Sequence, residues 1–262
     1  MFILEVAPDT YQGFKMKNVL ITGGTSGIGF ELARIFARNN YNVFIVSSNQ
    51  ERLNEVKDKL EKEFKNTIEI IEQDLSKIGA ALELYNKIKK REVNIDILIN
   101  NAGYGLVGSS EKIDFQEDEK MIILNVINLV ELCKLFLSDM YNQGSGKILN
   151  VASIGAFQPG PYSSTYFASK AFVLSYSRAI RYEAKNKGVQ VSVLCPGATK
   201  TNFYIREGKK APKYALTPEY VAQYAYKRFM QNKEMFIPGI IIKLMQLFPL
   251  KVRMNFVAKM KE

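Results

Sequence analysis

The sequence predicts an α/β fold in which helices cover both faces of a doubly wound parallel sheet of about seven strands. Short apolar runs rich in β-branched residues alternate with longer amphipathic segments along the chain, which is the pattern of strands and helices taken in turn. The runs are apolar on both faces, as in strands buried inside a parallel sheet. The 262 residues, of which 47% are hydrophobic, can bury the core of one large α/β domain.

Each apolar run indicates a strand and each amphipathic segment indicates a helix. Six strands are predicted at residues 18–22, 41–47, 67–73, 95–101, 146–153 and 189–197, with a seventh at 234–239. Helices are predicted at 29–40, 49–64, 119–142 and 169–188, the last closed by Gly188. We therefore expect an N-terminal extension at 1–17, one domain at 18–239, and a basic amphipathic segment of the same domain at 240–262.

Composition excludes several kinds of site. The chain has no histidine, which rules out Ser-His-Asp and Cys-His nucleophilic sites and histidine-bearing zinc sites. Its two cysteines, Cys133 and Cys195, each lie inside an apolar run, so neither a disulfide nor a metal site is expected. The net charge of +10 is scattered among acidic residues and no nucleic-acid-binding motif is visible, so no nucleic-acid partner is expected.

The chain carries no recognisable targeting signal. Glu5, Pro8 and Asp9 fall where a signal peptide needs an apolar run. No stretch is expected to have the roughly eighteen apolar residues that a membrane span requires. These observations predict a soluble protein in the reducing cytoplasm.

A glycine-rich turn follows the first strand directly and leads into a helix. In "TGGTSGIG" (22–29), Gly23 allows a tight turn, Gly27 lets the backbone approach a pyrophosphate, and Gly29 permits close packing of the helix. The N-terminus of that helix would face the anion. An ordinary glycine turn is the alternative, but the strand before it and the helix after it favour dinucleotide binding.

The end of the second strand bears on which dinucleotide binds. Folds of this class usually place an acid there for the ribose hydroxyls, or a base for a 2′-phosphate. This chain offers Ser47, Ser48 and Asn49. Because no carboxylate repels a phosphate and hydroxyls can bond it, NADP(H) is favoured over NAD(H), although the expected arginine is missing.

Polar residues also end the later strands. The Asp74 carboxylate could accept from an adenine amino group, or could cap a helix. Side-chain amides and glycines in "ILINNAGYG" (97–105) suit a ribose held against backbone, or form a plain turn.

Tyr166 and Lys170 lie one helical turn apart at the start of the helix after the fifth strand, which Ser153 ends. The spacing alone proves little, because Tyr11/Lys15 and Tyr85/Lys89 repeat it. Asn125 lies within an apolar helix, where a buried amide needs a partner. A core hydrogen bond by Asn125 and a cap by Ser153 are the plain alternatives to a shared catalytic site.

Together these motifs resemble the short-chain dehydrogenase/reductase family over about residues 18 to 239, including "PGATKT" at 196–201. The resemblance implies a Rossmann-type dinucleotide-binding and catalytic domain. It also implies hydride transfer between a nicotinamide and a ketone or secondary alcohol, with Tyr166 exchanging the proton. The Lys170 ammonium would lower the pKa of the phenol and bond the nicotinamide ribose, Ser153 would bond the substrate oxygen, and Asn125 would hold a water of the proton relay.

The resemblance also assigns the cofactor contacts, with Thr201 near the nicotinamide carboxamide. Besides Tyr166 and Lys170, they are Gly23, Thr25, Ser26, Gly27, Ile28, Gly29, Ser47, Ser48, Asn49, Asp74, Leu75, Asn101, Ala102, Gly103, Pro196, Gly197, Thr199 and Thr201.

The substrate is expected to depend on the loop after residue 201, where Phe203, Tyr204 and Tyr214 could line an apolar pocket. The chain resembles the branch with hydroxysteroid dehydrogenases and carbonyl reductases, which implies a bulky apolar or steroid-like substrate. A 3-oxoacyl-carrier-protein reductase and a non-catalytic nucleotide-sensing protein are the alternatives.

Two apolar surfaces suggest partners. The helices at 119–142 and after Tyr166 carry more apolar surface than one sheet face can cover, which predicts a homodimer or homotetramer. In the C-terminal segment, Val252, Phe256 and Met260 recur at intervals of four beside lysines. That stripe is expected to close over the substrate pocket or pack on a partner subunit, with peripheral contact to an anionic membrane as the alternative.

Overall fold

The structure is a computed structural model that describes residues 16–202, 211–239 and 247–261. A single seven-stranded sheet runs through it, with every strand pairing parallel to its neighbours. The strands are β1 Asn18–Thr22, β2 Asn42–Ser47, β3 Ile68–Glu72, β4 Ile97–Asn100, β5 Gly146–Val151, β6 Val189–Leu194 and β7 Met235–Phe236.

Helices alternate with these strands, as the periodicity predicts. They are α1 Gly27–Arg38, α2 Gln50–Glu63, α3 Ala80–Lys89, α4 Phe115–Ile122, α5 Asn128–Gln143, α6 Ser164–Ala184, α7 Pro218–Met230 and α8 Leu250–Lys261. Short 3₁₀ helices cover Ile154–Phe157 and Lys185–Lys187.

The strand order β3-β2-β1-β4-β5-β6-β7 confirms the predicted Rossmann-type doubly wound sheet. The chain moves outward from β1 to β3 and then returns to place β4 on the other side of β1. The connections after β1 and β4 therefore leave the sheet in opposite directions, which opens a crevice at the carboxyl ends of these two strands.

The core consists of two layers, one on each face of the sheet. Strand residues alternate between them: Leu20 and Leu98 point into one layer, and Ile21 and Ile99 into the other. All four side chains are fully buried. This two-sided burial explains why the strands are almost continuously apolar in the sequence.

The long helix predicted at 119–142 differs from the observed one. Helix α4 begins earlier, at Phe115, where the side chain of Asp114 accepts a hydrogen bond from the backbone N–H of Gln116. A π-helical turn at Ile123–Ile127 then joins α4 to α5. Apolar periodicity continues through this turn, so the pattern could not reveal that the backbone widens there.

The expectation that no stretch is apolar and long enough to span a membrane was wrong. Among the described residues, the helical run Phe115–Gln143 satisfies that test of length and composition. Half of its most apolar window is buried inside the fold, and Cys133, Phe136 and Met140 belong to one of the two core layers. The run is therefore a core element of the α/β unit.

Candidate active site and dinucleotide cleft

The glycine-rich turn lies against the end of β4, in the crevice. The amide of Asn101 donates to the carbonyls of Thr22 (3.1 Å) and Gly23 (3.0 Å). The Thr22 hydroxyl in turn accepts from the backbone N–H groups of Asn101 (3.0 Å) and Ala102 (3.1 Å). These four bonds fix the turn to β4, so Asn101 shapes the backbone of the cleft.

Two glycines of the turn leave no room for a side chain. Gly23 has a φ of +66°, and a Cβ there would lie 2.9 Å from the Ala102 Cα. At Gly29 a Cβ would clash with the Gly23 carbonyl oxygen and the Asn101 amide. The turn thus brings bare backbone to the N-terminus of α1, where Ser26 is the N-cap residue but makes no side-chain cap bond. Exposed backbone N–H groups at a helix N-terminus fit a pyrophosphate.

The end of β2 is organised by its own side chains. The Ser47 hydroxyl accepts from the Thr25 hydroxyl (3.3 Å) and from the Asn49 backbone N–H (3.4 Å). The Asn49 side chain caps α2 by accepting from the backbone N–H of Arg52 (2.8 Å). Sequence reasoning missed this cap, although an Asn directly before a helical pattern signals one. Ser48 is exposed, whereas Ser47 is half-buried.

Asp74 forms a local turn after β3 and does not cap a helix. Its carboxylate accepts from the Ser76 backbone N–H (3.0 Å) and hydroxyl (2.7 Å), whereas α3 begins at Ala80. Burial raises the pKa of Asp74, but the bonds from Ser76 outweigh it and the net shift is downward. Leu75 is buried in the core beside it.

Asn125 sits in the π-helical turn and is fully buried. Its amide donates to the Tyr104 carbonyl (2.9 Å) and the Ser169 hydroxyl (3.2 Å), and its oxygen accepts from the Tyr104 backbone N–H (3.3 Å). The plain alternative of a core hydrogen bond to backbone is therefore what the structure shows. Asn125 fastens the loop after β4 to α6, and its place in a water relay stays a prediction.

Lys170 is buried beneath Tyr166 on α6. Its ammonium donates to the Val151 carbonyl at the end of β5 (2.9 Å) and lies 5.9 Å from the centre of the Tyr166 ring. Burial penalises the charged form and lowers the pKa of Lys170 to about 8. A Cβ built on Gly103 would lie 2.8 Å from the Asn125 oxygen and 3.2 Å from the Lys170 nitrogen. Gly103, Asn125 and Lys170 therefore meet at one point.

Ser153 begins the 3₁₀ helix that borders this point. Its hydroxyl oxygen accepts from the Gly155 backbone N–H (3.0 Å), so it does cap that helix. The hydroxyl proton is not used by that bond and can still be donated. The Pro196 carbonyl accepts from the backbone N–H of Ile154 (3.0 Å), which joins "PGATKT" to the same rim.

The remaining residues of that segment lie beside the glycine-rich turn. A Cβ on Gly27 would lie 2.8 Å from the Thr201 side chain, so Thr201 lies against the glycine-rich turn. The Thr199 hydroxyl donates to the Gly197 carbonyl (2.9 Å), and Thr199 forms a β-bridge with Leu216. These contacts keep residues 196–201 beside the turn.

The predicted substrate loop is described only in part. Phe203 and Tyr204 lie outside the described residues. Tyr214 is 60% exposed, and its hydroxyl contacts the Met260 sulfur of α8 at 3.1 Å. The structure thus places Tyr214 against the C-terminal helix.

A buried polar network behind the site was not predicted. Asn100 on β4 donates to Asn150 on β5 (2.9 Å), and Asn150 donates to the Ser177 hydroxyl on α6 (2.9 Å). Cys133 contacts both asparagines, and burial raises its pKa to about 12. Asparagines inside the apolar runs "LINN" and "ILNV" were the available signal. The network ties α6, which carries Tyr166 and Lys170, to the strands below it.

Residues 17–211 match the family model for short chain dehydrogenases. A ketoacyl reductase, HetN, of a Nostoc species is 32% identical over 220 residues, which are 83% of this chain and 76% of that protein.

Two solved structures share the fold. A short-chain dehydrogenase from Sphingobium yanoikuyae in complex with NADPH superposes with a TM-score of 0.83 at 27% identity, covering 93% of this chain and 96% of the other. The alcohol dehydrogenase from Comamonas testosteroni that is specific for bulky-bulky ketones superposes with a TM-score of 0.79 at 27% identity, covering 94% of each chain.

Proposed function

This chain belongs to the short-chain dehydrogenase family and is an NAD(P)-dependent oxidoreductase, and on that premise we propose that it reduces a bulky apolar ketone with NADPH or oxidises the matching alcohol. The observation that carries the proposal is the buried Lys170 ammonium, 5.9 Å from the centre of the Tyr166 ring. Burying an ammonium is costly, and this one lies at the crevice beside the glycine-rich turn.

Tyr166 is the proposed proton donor to the substrate oxygen during reduction. The positive charge of Lys170, on the same face of α6, stabilises the phenolate that remains after the proton leaves. Bound in the crevice, the nicotinamide would supply the hydride. The lysine acts through Tyr166, and the Val151 carbonyl fixes its position.

Ser153 is proposed to orient the substrate. Its oxygen accepts from the Gly155 N–H, which leaves the hydroxyl proton to be donated to the ketone oxygen as negative charge develops there. Asn125 is proposed to keep Gly103 and Tyr104 at the distance that the cofactor and the proton relay need, through its bonds to the Tyr104 backbone.

NADP(H) is proposed as the cofactor in preference to NAD(H). Ser48 is exposed at the end of β2, and none of the three residues 47–49 is acidic. A 2′-phosphate would therefore meet hydroxyl groups and no like charge. The NADPH found in the Sphingobium protein supports this preference. The remaining cofactor contacts are proposed at the positions that match the family motifs.

The substrate class rests on the likeness to the Comamonas enzyme. A 3-oxoacyl substrate is the second candidate, because the Nostoc relative is named a ketoacyl reductase. A panel of bulky ketones and 3-oxoacyl thioesters, each with NADPH and NADH, tests both by the loss of reduced-nicotinamide absorbance. Turnover of bulky ketones with NADPH supports the proposal, and no turnover of either class contradicts it.

The assembly is proposed to be a homodimer or homotetramer through α4, α5 and α6. Phe115 is 74% exposed, Phe172 is 44% exposed, and the Phe172 ring stacks on Tyr176 with centroids 5.9 Å apart. Light scattering at micromolar concentration tests the assembly, and a monomer refutes it.

A cleft of about 920 Å³ opens along the other end of α6, lined by Arg178 and Tyr182 among others, and contains no predicted site residue.

We propose that residues 18–239 form the dinucleotide-binding and catalytic domain, preceded by an extension at 1–17 and followed by a segment of the same domain at 240–262. A cytoplasmic location is proposed on the two free, buried cysteines. Neither is suited to a disulfide, because each lies inside the core.

A further inference from the structure

The C-terminal helix α8 presents an apolar face to solvent. Its predicted apolar stripe, Val252, Phe256 and Met260, is between 42% and 52% exposed in the single chain, and packing of that stripe over the substrate pocket or on a partner subunit stays a prediction. Leu247 and Phe248, just before the helix, are 80% and 55% exposed. We call these five residues the C-terminal face. Five exposed apolar side chains within one short segment are unusual for a surface that meets only water.

The adjacent side of α8 attaches it to the protein. Val257 is buried, at 4% exposure. Arg253 donates to the Phe157 carbonyl (3.2 Å) and the Gln158 side chain (3.1 Å). These groups, together with the contact of the Tyr214 hydroxyl with the Met260 sulfur, hold the helix, and the rest of the C-terminal face stays exposed. The Arg253 bonds join α8 to the 3₁₀ helix that follows Ser153, at the rim of the candidate site.

The positive charge of residues 247–261 indicates what kind of surface the C-terminal face binds. Lys251 and Lys259 are exposed. Lys259 lies three residues after Phe256 and so borders it on the helix surface, and Lys251 lies about two turns before Lys259. Residues 247–261 contain three lysines and one arginine and no acidic residue. A second copy docked face to face would bring lysines against lysines, whereas anionic lipid offers phosphates to the lysines and an acyl boundary to the apolar stripe.

We propose that the C-terminal face docks onto an anionic lipid surface, so that the protein is a peripheral membrane protein. Phe248 and Phe256 enter the headgroup boundary, and Lys251 and Lys259 extend along it to lipid phosphates. The helix has 12 residues, too few to span a bilayer. The docking does not depend on the proposed reaction, and it places the rim of the candidate site next to the lipid.

Co-sedimentation of the full chain with vesicles tests the proposal. The vesicles are phosphatidylcholine alone or phosphatidylcholine with about 30% phosphatidylserine, each in low and high salt. The protein is expected to sediment with the anionic vesicles in low salt, less in high salt, and hardly at all with neutral vesicles. Failure to bind anionic vesicles in low salt overturns the proposal.

Variants separate the contribution of the lysines from that of the C-terminal face. Lys251→Gln with Lys259→Gln, and separately Phe248→Ser with Phe256→Ser, should each weaken partitioning about tenfold or more. Lys62→Gln with Lys65→Gln removes the same charge from exposed positions at the end of α2 and should leave partitioning unchanged. Unchanged NADPH titration in all variants shows that the fold is intact. Equal loss in the control pair, or a change of oligomer size in place of vesicle binding, contradicts the proposal.

Discussion

The two halves of the sheet build their parts of the site by different means. Around β1 and β2, the wall of the cleft is backbone, because Gly23 and Gly29 have no space for side chains, and Asn101 holds the turn in place. Around β5 and α6, buried polar side chains such as Lys170 and Asn125 make specific bonds. The half around β1 and β2, the binding half, is suited to holding an anion whatever reaction follows. The half around β5 and α6, the reaction half, is suited to one particular reaction. Substitutions in the two halves should therefore affect different measured quantities, turnover in one and cofactor affinity in the other.

The largest effect is expected from Tyr166→Phe in the reaction half. The substitution removes the proposed proton donor and leaves the ring, so kcat should fall by about two to four orders of magnitude. Cofactor affinity, measured by NADPH fluorescence titration, should change little. Phe172→Leu, at an exposed position on the same helix, is the control and should keep normal turnover.

Gly29→Ala, in the binding half, should instead lower the affinity for the cofactor. The added methyl group clashes with the Gly23 carbonyl and the Asn101 amide, so NADPH affinity should fall by about tenfold or more and stability by about 2–3 kcal/mol. Calorimetry and NADPH titration measure both. Gly144→Ala is the control, because its φ of +64° is strained but its Cβ meets nothing within 4 Å. It should cost about 1–2 kcal/mol and leave NADPH affinity intact.

The buried Lys170 should also appear in the pH dependence of stability. Its pKa is about 8 in the fold, against 10.5 for an ordinary lysine. Between these values the unfolded chain binds the proton and the folded chain does not, so stability from this group rises with pH. Below pH 8 both states are protonated and the desolvation cost is fully present.

Urea unfolding across this range tests the assignment. The wild-type protein should gain up to about 3 kcal/mol more than Lys170→Met as the pH rises through the window. Parallel stability curves for the two proteins would show that Lys170 keeps an ordinary pKa.

The smallest effect is expected at Ser48, which tests the cofactor preference. NADPH should bind more tightly than NADH, and Ser48→Asp should reverse the order by about tenfold, because a carboxylate repels a 2′-phosphate. Ser145→Asp, exposed at the far end of the sheet, should not. Equal affinity of the wild-type protein for both cofactors would remove the basis of the preference.

Sequence predicted the features that depend on residue type and spacing. The strands and the glycine-rich turn follow from burial periodicity and from motifs at strand ends, whereas the meeting of Gly103, Asn125 and Lys170 is seen only in the folded chain. The π-helical turn at Ile123–Ile127 could not be predicted, because a change in backbone hydrogen bonding leaves no mark on an already apolar pattern. The exposure of Phe256 could not be predicted either, because an apolar stripe on a helix does not show whether a neighbouring element covers it.

The two halves also differ in how much of the site is local. The glycine turn is one stretch, so its geometry could be read directly. Asn100, Asn150 and Ser177 come from three elements, and only the folded sheet shows that they form one network under Tyr166. Asp74 illustrates the converse, because its bonds to Ser76 are local, yet the sequence favoured a cap or an adenine contact.

The most direct test of the central claim is transfer of label from NADPH deuterated at the transferred position of the nicotinamide. With a bulky ketone that the enzyme accepts, the wild-type protein is predicted to place one deuterium on the carbinol carbon of the product, seen by mass spectrometry, and Tyr166→Phe to do so about a hundredfold more slowly or less. Alcohol formed without deuterium, or at the same rate by both proteins, would contradict hydride transfer with Tyr166 as the proton donor.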